Sequence, residues 1–171
     1  MTPALALRAL TLADEVEALA AHEELAREGF SFLPDGRPDD WTGYLAHLAD
    51  EHEGVNLPVG RVPATFLVAD GGGTIVGRAS VRHELNAALA RVGGHIGYGV
   101  RPAYRRRGFA TEILRQSLAL ARSLGLDRAL VTCDDDNVAS ARTIERCGGV
   151  LEDVVLEGAS PKRRYWIPTS I

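Results

Sequence analysis

Residues 95–133 limit the fold of this chain more than any other segment. They read as a strand, HIGYGV, a loop, RPAYRRR, a helix that ends at Gly125, and a second strand, RALVTC. The helix is marked by Ala110, Ile113, Leu114, Ser117, Leu118 and Ala121, small or apolar residues at the spacing of one helical face. Strand, helix and strand at this length make a βαβ unit, so the two strands should run parallel with a right-handed crossover. Such units collect ligands at the carboxyl ends of their strands, which here is the arginine loop. Four arginines stand in the seven residues from Arg101 to Arg107, and Gly108 follows them. The first N–H groups of a helix have no partner within it and attract anions. Gly108, with no Cβ, lets a ligand approach the backbone. The pattern suits a phosphate or pyrophosphate. It suits equally well a solvated turn ahead of an ordinary helix, and the loop alone does not choose.

The arginine cluster is local, because the whole chain has a formal net charge of -4. A mildly acidic protein without aromatics interleaved among its basic residues argues against nucleic-acid binding. The 171 residues, 46% hydrophobic and 25% charged, predict a single globular domain over 1–171. No apolar run approaches the roughly 18 residues of a membrane span. The N-terminus, MTPALALRALTLADE, lacks a basic leader and turns acidic, so it does not read as a signal peptide. Cys133 and Cys147 lack paired CxxC spacing. That gives no zinc signature, no metal is expected, and a reduced cytoplasmic protein is the simplest reading.

Upstream, residues 5–8 read as a strand. Thr11 suits the N-cap of a helix with Leu12, Val16, Leu19 and Ala20 as its apolar stripe and Gly29 closing it. A second helix follows Asp39 or Asp40, with Trp41, Tyr44, Leu45 and Leu48 on one face. Residues 54–63 form a loop. ATFLVAD and IVGRASVRH, around the turn DGGGT, predict a hairpin with Ile75, Ala79 and Val81 on one side. Residues 86–94 are another loop.

Two motifs in order raise the specificity. Arg105-x-x-Gly108-x-Ala110 resembles the pyrophosphate loop of the GCN5-related N-acetyltransferase (GNAT) superfamily. Asn137-x-x-Ser140, followed by Cys147-Gly148-Gly149, resembles the second cofactor motif of that superfamily. RHELN and GGHIGYGVRP resemble a group of acetyltransferases whose substrates are not obvious from sequence. The resemblance covers nearly the whole chain. It implies an α/β (α+β) GNAT fold, with a mostly antiparallel central sheet of about six to seven strands. Helices would cover both faces, and the central parallel strands would splay apart. It implies acetyl-CoA as cosubstrate and direct acetyl transfer to a primary amine on a small molecule or peptide, and it is compatible with a homodimer. The backbone of Gly99 and Val100 would pair with the pantetheine arm. The amides of Arg105, Arg106, Arg107, Gly108, Phe109, Ala110 and Thr111 would hold the pyrophosphate, and Asn137 and Ser140 would contact the cofactor. Asn137 also suits a helix N-cap after three aspartates, and Arg142 and Arg146 could reach phosphates or simply be solvated.

The chain departs from the pattern at two places. The tyrosine that often follows the asparagine by seven residues, and that protonates the leaving thiolate, is Ile144. The usual Gly-Phe is Gly148-Gly149. That opens the role of acid to Ser140 or Tyr98. It also keeps open a non-catalytic acyl-CoA-binding or sensor module. Amine acetylation needs a base, since an alkylammonium titrates near about 10.4. Glu84, His83, His95 and Asp134 are the candidates. Strand alternation would put His83 and Glu84 on opposite faces. Cys133, a conceivable nucleophile, reads as a small apolar residue of a buried strand.

Overall fold

A computed structural model describes residues 4–170. The hairpin forms as the alternation predicts, from β2 (Ala64–Asp70) and β3 (Ile75–Arg82). β1 (Ala6–Arg8) lies along β2, and β4 (Ile96–Val100) lies along β3. All pairings in this four-stranded sheet are antiparallel. A second, three-stranded antiparallel sheet has the order β5 (Arg128–Asp134), β7 (Ser160–Pro168), β6 (Val150–Glu157).

The seven strands match the expected number, and the expected splay lies between the two sheets. β4 and β5 form no ladder. His95 N–H donates to the Leu130 carbonyl at 2.7 Å, and Leu130 N–H donates to His95 Nδ1 at 2.9 Å. Past that latch each strand pairs only with its own sheet, so β4 has a free edge toward β5.

Helices cover both faces of the first sheet. α1 (Glu15–Ala26) and α2 (Trp41–Glu53) pack with Phe32, Leu33, Phe66, Val68 and Ile75 on one side. α4 (Phe109–Ser123) covers the other side through Ile113, Leu114 and Leu118. It shares a core there with α5 (Val138–Arg146), β5 and β7. The predicted face of α4 is the observed one, with Ala110 half-buried at its start. Gly125 (φ 89°) terminates it while Leu126 N–H returns to Ala121 O at 3.1 Å, the closure that favours glycine.

Four local expectations change. The stripe on α1 is Ala18, Ala21 and Leu25, whereas Leu12 and Val16 are exposed. This helix is apolar or small on most sides, so its sequence holds no clear period, and alanines win the contact because they let the helix approach the sheet. Ile75 faces α1 and α2 rather than the side of Ala79 and Val81. The register shifts beside it, with Ala69 opposite Gly77 but Asp70 opposite Ile75, and a bulge of one residue reverses the facing. The loop 86–94 contains a short helix, α3 (Ala87–Arg91), capped by Asn86 Oδ1 on Leu89 N–H at 2.9 Å. Finally, β3 ends at Arg82, so alternation does not reach His83 and Glu84.

Candidate active site

The loop between β4 and α4 sorts its four arginines into two kinds. Arg101 is a clamp. It bonds Glu24 at 2.8 Å, Glu17 at 3.3 Å and the Ile75 carbonyl at 2.8 Å. Arg105 turns back to Glu28 at the end of α1, with contacts of 3.2 and 2.6 Å, and holds the Val100 carbonyl at 3.2 Å. Its side chain therefore faces away from the loop's amides. Arg106 and Arg107 are exposed, and Arg107 lies 5.7 Å from the Tyr104 ring centroid. Only this second pair is free to add positive potential.

The backbone carries the stronger signal. Arg105 N–H donates to Pro102 O at 3.3 Å, and the first helical bond is Glu112 N–H to Gly108 O at 3.2 Å. Between them, from Arg106 to Thr111, no backbone N–H has an acceptor among the described residues. Gly108 (φ 82°) and Arg106 (φ 61°) are both left-handed. For an arginine this costs about 1 kcal/mol or more, a strain that clusters at ligand-binding loops. Six donors at the mouth of a fifteen-residue helix fit a polyanion.

The edge of β4 that faces the gap can be read from its register. Arg82 N–H bonds His95 O at 2.7 Å and Arg101 N–H bonds Val76 O at 2.9 Å. In an antiparallel pair the bonded residues alternate. Gly97 and Gly99 therefore point their backbone groups at Ser80 and Arg78, while Tyr98 and Val100 present theirs to the gap. Of the two residues expected to pair with an extended ligand, Val100 keeps its N–H free on the gap side, its carbonyl being held by Arg105, and Gly99 does not face the gap. Gly99 has another reason to be glycine, because a Cβ there would lie 2.8 Å from the Phe30 ring.

Tyr98 and Ser140, two alternatives in the sequence, meet in the structure. The Tyr98 hydroxyl is 2.8 Å from Ser140 Oγ. Burial pushes the phenol up to about 12, against the opposing effect of that hydrogen bond, so the tyrosine keeps its proton at physiological pH. Asn137 caps α5, its Oδ1 accepting from Ser140 N–H at 3.1 Å. The missing tyrosine position, Ile144, is fully buried, and a Cβ on Gly149 would come within 2.5 Å of its methyl group. The two departures from the motif thus fit each other: Ile144 fills the core where Gly149 leaves room.

The other candidates sort by environment. His95 is a latch in the core, and burial, with the charge of Arg82, lowers its pKa. His83 Nε2 and His52 Nδ1 both lie 2.8 Å from Thr65 Oγ1, and burial lowers the pKa of His83 as well. Asp134 is ion-paired with Lys162. Cys133 is buried and burial raises its thiol pKa, which holds it protonated; Cys147 is a free thiol shifted the same way. Glu84 is exposed, in the turn between Arg82 and Asn86. Both of those residues line a cavity of about 390 Å³ on the α2 side of β3, together with Glu51, Arg61 and Arg78. Sequence reasoning passed over this cavity, although Arg78, Ser80 and Arg82 sit at alternate positions of a strand and so share a face.

The family model for the acetyltransferase (GNAT) domain matches residues 4–150. The chain belongs to the GNAT acetyltransferases. Its membership makes it an acyltransferase by family, and the solved relatives show the same fold. yncA of Salmonella typhimurium, solved with its cofactor acetyl-CoA, is 18% identical with a TM-score of 0.66, over 98% of this chain and 95% of that one. RimJ of Mycobacterium smegmatis, in complex with CoA-disulfide, is 19% identical with a TM-score of 0.73, over 97% and 82%. A spermidine N-acetyltransferase SpeG chimera from Vibrio cholerae and hSSAT is 20% identical with a TM-score of 0.66, over 97% and 96%. No curated protein matches the sequence. No helix among the described residues is long and apolar enough to cross a membrane.

Proposed function

We propose that this GNAT chain acts as one domain and is a cytoplasmic, acetyl-CoA-dependent N-acetyltransferase that moves the acetyl group directly to a primary amine. The observation that carries the reading is the run of six unpartnered amides from Arg106 to Thr111, beside the free edge of β4. The amides would hold the pyrophosphate, with Arg106 and Arg107 adding charge. The backbone of Val100 and Tyr98 would hold the pantetheine arm as an added strand. Asn137 has its carbonyl engaged in the cap, which leaves its amide N–H groups for the arm. The free state of both cysteines accords with a reducing compartment.

Acetyl-CoA supplies an activated thioester. The chain must take a proton from the amine and give one to the departing thiolate. Glu84 is the proposed base, since it stands between two residues that line the cavity. Ser140 is the proposed acid. Its hydroxyl lies in the first turn of α5 and is hydrogen-bonded to Tyr98, so a proton lost by Ser140 can be replaced from the phenol. The pair gives this protein an acid without the tyrosine that Ile144 replaces.

The reading is tested by following free thiol release from acetyl-CoA across a panel of amines, with wild type and Gly108→Asp side by side. Wild type should release thiol with some amine, and acetyl-CoA should stabilise it by about 2.7 kcal/mol at a hundredfold excess over Kd. Gly108→Asp should lose both effects, because it places a carboxylate where the pyrophosphate binds. A thermal shift preserved in a folded Gly108→Asp protein would refute the site. Binding without thiol release for any amine would point to a sensor.

A further inference from the structure

The cavity on the α2 side of β3 contains two guanidinium groups without counter-ions. Arg78 Nε and Nη2 donate to the Phe32 and Ser31 carbonyls, each at 3.0 Å, and Arg82 Nη1 donates to the Gly93 and Gly94 carbonyls at 3.0 and 3.1 Å. Those bonds fix the two side chains but neutralise neither. Neither arginine is ion-paired among the described residues, whereas Arg8, Arg101, Arg105, Arg163 and Arg164 all are. Arg78 stacks over the Phe30 and Phe66 rings at 5.0 and 5.5 Å. Burial, with the neighbouring Arg82, pushes its guanidinium down to about 10, the mark of a cation whose partner is missing.

Arg78 Nη1, which has no hydrogen-bond partner among the described residues, and Arg82 Nη1, held by the Gly93 and Gly94 carbonyls, lie beside one point of β4. A Cβ on Gly97 would lie 3.7 Å from Arg78 Nη1 and 4.0 Å from Arg82 Nη1, and would meet nothing else within 4 Å. Gly97, which does not itself line the cavity, therefore stands beside two of the cations that do. This point is on the face of β4 opposite Tyr98, on the strand whose free edge borders the gap. The cavity also holds the ion pair of Arg61 with Asp35, and Glu51, whose buried carboxyl is raised in pKa. Three arginines face two carboxyl groups, one of them pushed toward its neutral form by burial, so the cavity carries an excess of positive charge. A cavity of about 390 Å³ admits a small molecule or the end of a peptide.

We propose that the acceptor amine also carries a carboxylate, and that Arg78 and Arg82, standing beside Gly97, bind that carboxylate on the face of β4 away from Tyr98. Each guanidinium keeps N–H groups beyond those its carbonyl partners use, and two fixed cations side by side suit a carboxylate. A polycation such as a polyamine would meet uncompensated positive charge there. The inference rests on the reading of this chain as an acetyl-CoA-dependent N-acetyltransferase for its functional meaning. The anion site can nevertheless be tested by binding alone.

The test uses glycylglycine, glutamate, their carboxamide counterparts, O-phosphoethanolamine and spermidine, with the full chain loaded with CoA. Calorimetry reads binding whether or not any probe is acetylated, and thiol release from acetyl-CoA reads turnover. Carboxylate probes should bind, and their amides should bind about tenfold to a hundredfold more weakly, the range of a charge-assisted hydrogen-bond pair. Arg82→Gln should cost a similar factor and Arg82→Lys less, with the acetyl-CoA thermal shift unchanged in both. Because Arg82 also holds the Gly93–Gly94 turn, Gly97→Val is the second variant. It fills the space beside the two arginines without removing either, in a strand that favours valine, and should abolish probe binding while leaving cofactor binding intact. Equal binding of acids and amides, preference for spermidine or for the phosphate, or no effect of Gly97→Val would overturn the proposal. Loss of cofactor binding in wild type would overturn the functional reading instead.

Discussion

His95 makes the fold of this protein sensitive to pH, and the sign follows from its hydrogen bonds. The side chain is 5% exposed, and its Nδ1 accepts the Leu130 N–H at 2.9 Å. An imidazolium has no acceptor, so protonation must break one of the two bonds by which His95 and Leu130 join the sheets. The folded-state pKa is accordingly lowered, by burial first and then by Arg82. The unfolded chain binds the proton near pH 6.5 and the folded chain resists it, so stability is full above that value and falls as pH drops below it. One such site can cost at most about 1.4 kcal/mol between pH 7.5 and pH 5.5, the limit set by protonation of the unfolded chain alone. His95→Asn puts an amide oxygen close to the place of Nδ1 and removes the titration. It should be the mildest substitution at neutral pH, and it should flatten the pH dependence by no more than that amount. A slope shared with His22 and His83, which burial shifts the same way, should remain. His95→Ala leaves the Leu130 N–H unsatisfied and should cost about 1–3 kcal/mol more than His95→Asn at pH 7.5. Urea melts of the three proteins at pH 7.5, 6.5 and 5.5 measure all of this. Identical pH dependence in wild type and His95→Asn would refute the argument, as would nitrogen NMR showing the proton on Nδ1.

Two further outcomes concern chemistry. If Ser140 and Tyr98 act as one relay, Ser140→Ala slows transfer by about tenfold to a hundredfold, Tyr98→Phe does less, and the double variant is no worse than Ser140→Ala; additive losses in turnover at unchanged cofactor affinity would contradict the relay. Glu84→Gln should lower turnover by about 10² or more and leave the acetyl-CoA thermal shift alone, and a rate within about threefold of wild type at subsaturating amine would clear Glu84.

The sequence was most legible where local chemistry and tertiary demand coincide. The buried face of α4 follows from its spacing, and the glycines at 108 and 125 stand where their left-handed backbone requires them. It was least legible where a contact lies between elements distant along the chain. Nothing in the run of arginines distinguishes Arg101 and Arg105 from their neighbours, because the residues that claim them, Glu17, Glu24 and Glu28, lie on α1. The β6–β7 hairpin drew no reading of its own, because β6 is mostly exposed on both faces and buries no alternating stripe. Arg78 and Arg82 could be placed on a common face from alternation. That they meet at Gly97 depends on the β3–β4 register, which no local pattern specifies.

That non-local logic also decides what restoring the missing family tyrosine would do. Ile144 is fully buried between α5, α4 and the second sheet, and Gly149 is bare where a Cβ would strike the isoleucine methyl at 2.5 Å and its carbonyl at 2.8 Å. The helix end is closed tightly over it, with Gly149 N–H bonded to Ile144 O at 3.0 Å. A tyrosine there adds a ring and a hydroxyl to a space that the fold has already filled, and the hydroxyl would need a partner. Overpacking of this kind costs about 1–3 kcal/mol, with more if the hydroxyl stays unsatisfied. Ile144→Tyr should therefore lower the melting temperature by several degrees, about 2–4 °C per kcal/mol for a chain near this size. It should bring no gain in turnover, because in the proposed mechanism the Tyr98–Ser140 pair supplies the acid. A variant as stable as wild type and faster with the same amine would show that α5 can rotate to admit the ring. It would also show that the Tyr98–Ser140 pair does not fill the role of acid.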